Sequence, residues 1–466
     1  MSSAAPTAYL TDRGPLTTGL VIMITVAAFE ALAVATVMPA VKDDLGGVAL
    51  YGWAFSAFLL ASLVGITFAD EQADRHGPAR PFAIGLGLFA IGLAVGGMAP
   101  TMWVLVIGRA IQGLGAGVIP PVAYVAVGRA YPEEARPRMF ALFATAWVVP
   151  GLVGPGLAGA TAEYLSWRLV FVGILPLVGA AALLTLPALR QLGPPAQVPA
   201  AARSRMPTAV LVAAGAGMFL AGLTVASPWL SPPLLVGGAI VAVPALRRLM
   251  PAGTFRAGRG LPATVLGIGA LNLAFFGTDA FVPFMLTEVR DQSTVFVGAI
   301  FTASTLCWTA GTWTVERMAG RVSRPAFVGM GMGLVALGTL GHIAVLSQGV
   351  PVWFAGVTWS VGAFGIGIAY PSFSLLLLSQ APRGQEGTVT SAAKLAEALA
   401  AAVGAGVVGA IVTAGESSGE LSAALGVSFA LMAAVAGMGA LLAGRLPRRS
   451  ASTAPSLVTS AAATEA

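Results

Sequence analysis

Three of the 19 acidic residues lie inside long apolar stretches: Glu30, Asp279 and Glu397. An ionised carboxylate in hydrocarbon costs several kcal/mol, so each must face a polar cavity or hold a partner. Each is a candidate for taking up and releasing a proton or for neutralising a bound cation. Two cations share that setting, Arg109 and Lys394. Arg109 is charged at any working pH and needs a carboxylate, a carbonyl or a water cluster. Gln112, one turn further on, can bridge helices through its amide. Lys394 and Glu397 are three residues apart, on one face of a helix, where they can neutralise each other. Lys394 is also near enough to the end of its stretch to extend its head toward water. Asp279, in LNLAFFGTDAFVPFML, must reach a cavity or find a donor such as Asn272, seven residues back on the same face.

The remaining chemistry is sparse. There is no GxxxxGK[ST] phosphate loop, no HExxH and no GxSxG. One cysteine, Cys307, and two distant histidines, His76 and His342, exclude a disulfide framework within the chain and argue against a metal site. No cofactor and no enzyme activity are expected. Uphill work then has to draw on an ion gradient, for carboxylates a proton gradient, instead of bound ATP.

The elements that position these residues follow from composition. Of 466 residues, 57% are hydrophobic and only 9% charged, against roughly 25% charged in a soluble domain. Apolar stretches fall at 16–40, 50–69, 82–99, 103–127, 139–161, 167–187, 207–226, 229–246, 261–286, 294–315, 326–346, 352–379, 388–414 and 421–444. Each is long enough for the hydrocarbon core, and lipid leaves the backbone no hydrogen-bond partner outside itself, so each is expected to be a transmembrane helix. The first stretch contains Glu30 and no small-residue cleavage site, which reads as a retained span rather than a signal peptide.

Basic residues orient the spans. With both termini in the cytoplasm, 20 of the 25 Lys and Arg residues fall in cytoplasmic segments, and only Lys42, Arg168 and Arg290 fall outside. The net charge of +6 is thus explained by topology rather than nucleic-acid binding. The expected organisation is a cytoplasmic segment 1–15, a six-helix bundle 16–187, a Pro- and Arg-rich linker 188–206, a two-helix insertion 207–246, a cytoplasmic loop 247–260, a second six-helix bundle 261–444, and a disordered Ser, Ala and Thr-rich tail 445–466. That is an all-α integral membrane architecture of 14 spans in the cytoplasmic membrane.

Several segments resemble the 14-span drug:proton antiporter family of the major facilitator superfamily. FEALAVATVMP, with Glu30 nine residues before a proline, looks like the family's first-span LDxTIVNVALP segment, Glu30 standing where Asp is usual. ADEQADRHGPAR resembles the GxxxDRxGRR loop through Asp74, Arg75 and Gly77, with Asp70 at the first Gly and Pro78 and Ala79 in place of the basic pair. IGRAIQGLGAG resembles RxxQGxGaA through Arg109, Gln112, Gly113 and Gly115. PGLVGPGLAG resembles the antiporter motif GxxxGPxxGG through Gly154, Pro155 and Gly159, with Pro150 and Ala158 replacing two glycines. SWRLVFVGILP is similar to SWRWxFxINxP.

The resemblance implies the major facilitator fold, a midplane cavity reached alternately from each side, and export of a hydrophobic or cationic small molecule in exchange for protons by a single chain. It further implies that Arg109 assists proton coupling and that Asp74 and Arg75 act as a conformational latch. Trp53, Phe55, Trp147, Phe275 and Phe276 are candidates for an aromatic cavity wall, though each taken singly is better accounted for by packing or lipid contact. Uptake by proton symport and a membrane sensor without transport are the competing readings.

Overall fold

The computed structural model describes residues 13–194, 204–382 and 386–447. Residues 1–12, 195–203 of the linker, 383–385 and the tail beyond 447 lie outside the described residues. Within them, fourteen helices are long and apolar enough to cross a membrane: Gly14–Leu45, Val48–Ala73, Ala79–Gly97, Met102–Ala130, Arg138–Tyr164, Arg168–Gln191, Met206–Thr224, Ser231–Leu249, Leu261–Glu288, Thr294–Arg317, Arg324–Val345, Phe354–Gln380, Val389–Ser418 and Leu421–Arg445. They correspond one to one with the apolar stretches of the sequence and are numbered below as first to fourteenth span. Several helices overrun their stretch, the first continuing through Lys42, Asp43 and Asp44, because helical hydrogen bonding persists into the polar interface.

Two spans that read as continuous are broken. The sixth is Arg168–Val172 followed by Leu175–Gln191, and the ninth is Leu261–Asp279 followed by Val282–Glu288. A proline lacks the amide hydrogen and its ring meets the carbonyl four residues back. Pro176 stands four residues after Val172, and Pro283 four after Asp279. Asp279 is therefore the last residue before a helix break. Pro39 and Pro371 stay inside their helices.

The helices alternate in direction, so one end of the bundle carries Gly14 and the even-to-odd loops; it is called the near end, and the opposite one the far end. The first span packs on the fifth and sixth, the second on the fourth, and the third on the fourth. The same pattern recurs eight spans later: the ninth packs on the thirteenth and fourteenth, the tenth on the twelfth, and the eleventh on the twelfth. No sequence repeat between the halves is evident, yet their packing is repeated. The two bundles meet through the second span against the thirteenth and the fifth against the tenth, a pairing that a twofold axis along the membrane normal exchanges.

Contacts cross that interface at both ends; at the near end Ser391 Oγ of the thirteenth span donates to Asp70 Oδ2 of the second at 3.0 Å, and at the far end several groups meet. Lys42 Nζ lies 2.6 Å from Glu288 Oε2. The Tyr51 ring packs against Phe281 and Phe284 at centroid distances of 5.1 and 5.0 Å. Glu163 accepts from Thr294 Oγ1 and from the Val295 amide, both at 3.0 Å. Within the first bundle, Asp44 accepts from Trp167 Nε1 at 3.0 Å and Arg168 Nη1 at 2.5 Å, so the SWR element ties the far ends of the first and sixth spans. Buried Arg290 closes the far end of the eleventh span by donating to the carbonyls of Val345, Ser347 and Val350.

The inserted seventh and eighth spans pack on each other, and the seventh lies across the seam, touching both the second and the thirteenth spans. Apolar side chains from both bundles, Leu63, Val265, Leu377 and Ala393, share one buried cluster with Ala209 and Val212 of the insertion.

Candidate functional site

The first bundle holds a sealed polar centre. Arg109, on the fourth span, is 3% exposed and Glu30, on the first, 1%. One guanidinium nitrogen, Nη1, donates to Glu30 Oε1 and also to Gln112 Oε1 at 2.6 Å. Nε donates to the Ala54 carbonyl of the second span at 3.1 Å. The guanidinium lies 4.2 Å from the centroid of the Phe58 ring, a favourable cation–π stack. Three spans thus converge on one cation. Gln112 Nε2 is buried without a hydrogen-bond partner, leaving a donor unused beside the pair. Close approach makes this possible: a Cβ on Gly113 would run into the Phe58 carbonyl of the second span.

The ninth span holds Asp279 differently. It is partly exposed, and among the described residues it accepts no hydrogen bond and forms no ion pair. The expected pairing with Asn272 does not occur. Asn272 Nδ2 donates to the Ile268 carbonyl of its own helix at 2.8 Å, and that local bond is available without bending the helix toward a residue two turns away. Asp279 instead ends its helix two residues before Phe281, whose ring packs on Tyr51, at the break that Pro283 imposes.

The third acid has company that the sequence reading missed. Lys394 Nζ lies 2.9 Å from Glu397 Oε2, as the spacing predicts. Tyr370, from the twelfth span, completes a triangle: its hydroxyl donates to Glu397 Oε2 at 3.0 Å and accepts from Lys394 Nζ at 2.5 Å. The ammonium stands 5.2 Å from the Tyr370 ring centroid. A tyrosine beside a helix proline, in AYPSF, carried no spacing signal because its partners are on another span. His342 was also passed over; it is fully buried, with Nδ1 2.9 Å from the Gly338 carbonyl and its ring against Trp359 and Phe429.

The motif residues fall at helix contacts. The fifth-span motif is the interface with the tenth span: a Cβ on Gly159 would strike the Thr294 carbonyl, Gly298 packs on the Pro155 carbonyl, and Gly154 faces the Phe29 ring of the first span. In the loop between the second and third spans, Gly77 has φ +78° and packs on the Gly193 carbonyl beyond the sixth span, a conformation and a space that suit glycine alone. Arg75 is exposed; the side chain of Asp74 lies outside the described residues. Glu71, unremarked in the sequence reading, accepts from the amides of Arg205 and Met206 at 2.6 and 3.1 Å, capping the start of the seventh span.

Of the aromatic candidates, Trp53 donates to Thr224 of the seventh span at 3.3 Å and so faces the insertion. Phe55 packs on Tyr51, and Trp147 is exposed. Phe275 is stacked on Trp359 at 4.7 Å and meets Phe276 and Trp308 edge-on, inside the second bundle.

Residues 19–405 match the family model described as Major Facilitator Superfamily. The chain is 26% identical over 376 residues to a probable multidrug-efflux transporter of Mycobacterium tuberculosis, covering 77% of this chain and 79% of that one. It is also 26% identical over 378 residues to the methylenomycin A resistance protein of Bacillus subtilis, covering 78% of each. Among solved structures, a POT family transporter in complex with a thioalcohol-conjugated peptide aligns with a TM-score of 0.67 at 15% identity, over 91% of this chain and 94% of that one. A D-xylose–proton symporter aligns with a TM-score of 0.64 at 15% identity, over 93% and 98%. These structural likenesses speak for the fold.

Proposed function

Because the chain belongs to the Major Facilitator Superfamily, and is thus a multi-pass membrane transporter rather than an enzyme, we propose that it is a proton-driven antiporter exporting small hydrophobic or cationic compounds across the cytoplasmic membrane. The excess of basic residues at the near end supports a cytoplasmic near end.

The observation that carries the reading is the buried Glu30–Arg109 pair. A proton on Glu30 cancels the charge that holds Arg109, which keeps the Ala54 carbonyl, Gln112 and the Phe58 ring. The first, second and fourth spans converge on that guanidinium, so a change in its partners changes how the three pack. Protonation of Glu30, with Asp279 as a second acid, favours one of the two states, and substrate competes for or displaces the proton. The small-residue contact of fifth and tenth spans supplies a surface on which the bundles can rock. One proton crossing about 100 mV and one pH unit releases about 3.7 kcal/mol, which supports a gradient of a few hundredfold. The relatives named for multidrug efflux and methylenomycin resistance support an exporter of this kind.

The test is efflux of ethidium from energised cells, comparing the native chain with Glu30→Gln at matched membrane expression. Uncoupler-sensitive efflux that disappears in the variant is the expected result. Efflux unchanged by the variant removes Glu30 from coupling, and dye accumulated above the control level reverses the direction.

A further inference from the structure

The Tyr370–Lys394–Glu397 triangle does not resemble an ordinary structural ion pair. Its acid and its base are unequally placed: the Glu397 side chain is 12% exposed and the Lys394 side chain 45%. Glu397 and Lys394 both line a small cleft of about 80 Å³ between the ninth, twelfth and thirteenth spans, beside Ile268, Leu377 and Leu378. The Lys394 side chain is the more exposed of the two, on a stem flexible enough to carry the ammonium back toward the near-end water. A carboxylate, a phenolic oxygen and an aromatic ring around one positive charge, beside a small apolar cleft, is the set of groups that recognises an organic cation. The chain holds only two lysines among its 25 basic residues. Lysine is a compact point charge with no forked geometry, and it is more readily exchanged from a carboxylate than a bidentate arginine. The contrast with the first bundle, where arginine holds Glu30, lies within the same molecule.

We propose that Tyr370 and Glu397 form a receptor for an organic cation, and that Lys394 is its built-in occupant, displaced when a cationic compound binds. The receptor faces the near end, from which an exporter loads. This deepens the export reading and rests on it only for the fate of the bound compound. Lys394 keeps the carboxylate neutralised while the cleft is empty, and a ligand must out-compete it; a neutral compound has nothing to gain from the exchange.

The experiment is titration of the purified full-length chain with tetramethylammonium, a cation small enough for the cleft, at a pH of about 8, above an ordinary glutamate's range. Native protein is compared with Lys394→Met, Glu397→Gln and the double variant. Lys394→Met is expected to tighten binding about tenfold, Glu397→Gln to weaken it about tenfold, and the double variant to bind as weakly as Glu397→Gln. Lys394→Met binding no tighter than native, or a double variant binding as tightly as Lys394→Met, overturns the receptor. A purely structural pair lowers thermal stability in both single variants without tightening anything. Ethidium efflux by the native chain, measured in parallel, separates the two ideas. Efflux with affinities unmoved by Lys394→Met sinks the receptor and leaves export standing, whereas the expected affinities without efflux do the reverse.

Discussion

Glu30 and Asp279 stand on spans that occupy equivalent places in the two bundles, yet their surroundings differ. Glu30 is sealed and held by Arg109, itself bound to a backbone carbonyl and an amide. Asp279 is partly open, has no cation paired with it among the described residues, and lies where the ninth span breaks. The other acid of the second bundle, Glu397, is countered by a lysine whose side chain is nearly half exposed. Within the proposed mechanism, the first bundle holds its charge as a closed pair that only a proton can enter. The second offers its acids to cations arriving from the cavity. Proton and substrate can then act on different halves of one molecule and still compete, because both bias the same rocking of bundle against bundle.

The largest effect expected from that contrast is at Arg109. Arg109→Met leaves a buried carboxylate alone, which costs about 3–5 kcal/mol, and efflux falls to background. Thermal unfolding in detergent reads the first outcome, and the double variant Arg109→Met with Glu30→Gln is expected to regain stability without regaining transport. A single variant as stable as native would break the contrast at its root. Asp279→Asn is the matching change in the second bundle. It removes no partner, so stability stays within about 0.5 kcal/mol of native, while efflux of a cationic dye drops about tenfold. A loss of stability comparable with that of Arg109→Met would mean that both acids are held alike.

A smaller effect sharpens the comparison where the bundles meet. The Lys42–Glu288 pair is 15% and 22% exposed and is worth about 1 kcal/mol. Lys42→Ala therefore raises the far-end-open population about fivefold. Spin-label distances between the far ends of the first and ninth spans report it, and exchanging the two charges is expected to restore the native distribution. The smallest effect belongs to the insertion, which serves neither acid. Glu71→Ala removes the cap of the seventh span and costs about 1 kcal/mol there. Faster amide exchange at Arg205 and Met206 with unchanged efflux is the expected outcome; lost efflux would make the insertion part of the cycle.

The span count was legible because crossing a membrane depends on apolar length, a local property, and all fourteen stretches became helices. The i, i+3 spacing of Lys394 and Glu397 foretold their contact for the same reason. The helix breaks at Val172 and Asp279 were legible in principle from Pro176 and Pro283, four residues on, although prolines elsewhere remain inside helices. Asn272 failed as a partner for Asp279 because sharing a helix face over seven residues does not bring two side chains into reach, and a carbonyl one turn away was nearer. Tyr370, Glu71 and the unsatisfied amide of Gln112 gave no local signal at all.

By itself, then, the sequence determined that this is a fourteen-span helical membrane protein with three acids, an arginine and a lysine within its spans, since hydrophobicity and helical periodicity act over a few turns. Only the tertiary structure decided which acid is sealed, which is open and which is shared. Glu30 and Arg109 are 79 residues apart and Tyr370 and Lys394 24. Whether such residues meet depends on how each helix is rotated against its neighbours, and that is set by side-chain packing over the whole bundle rather than by any stretch of chain.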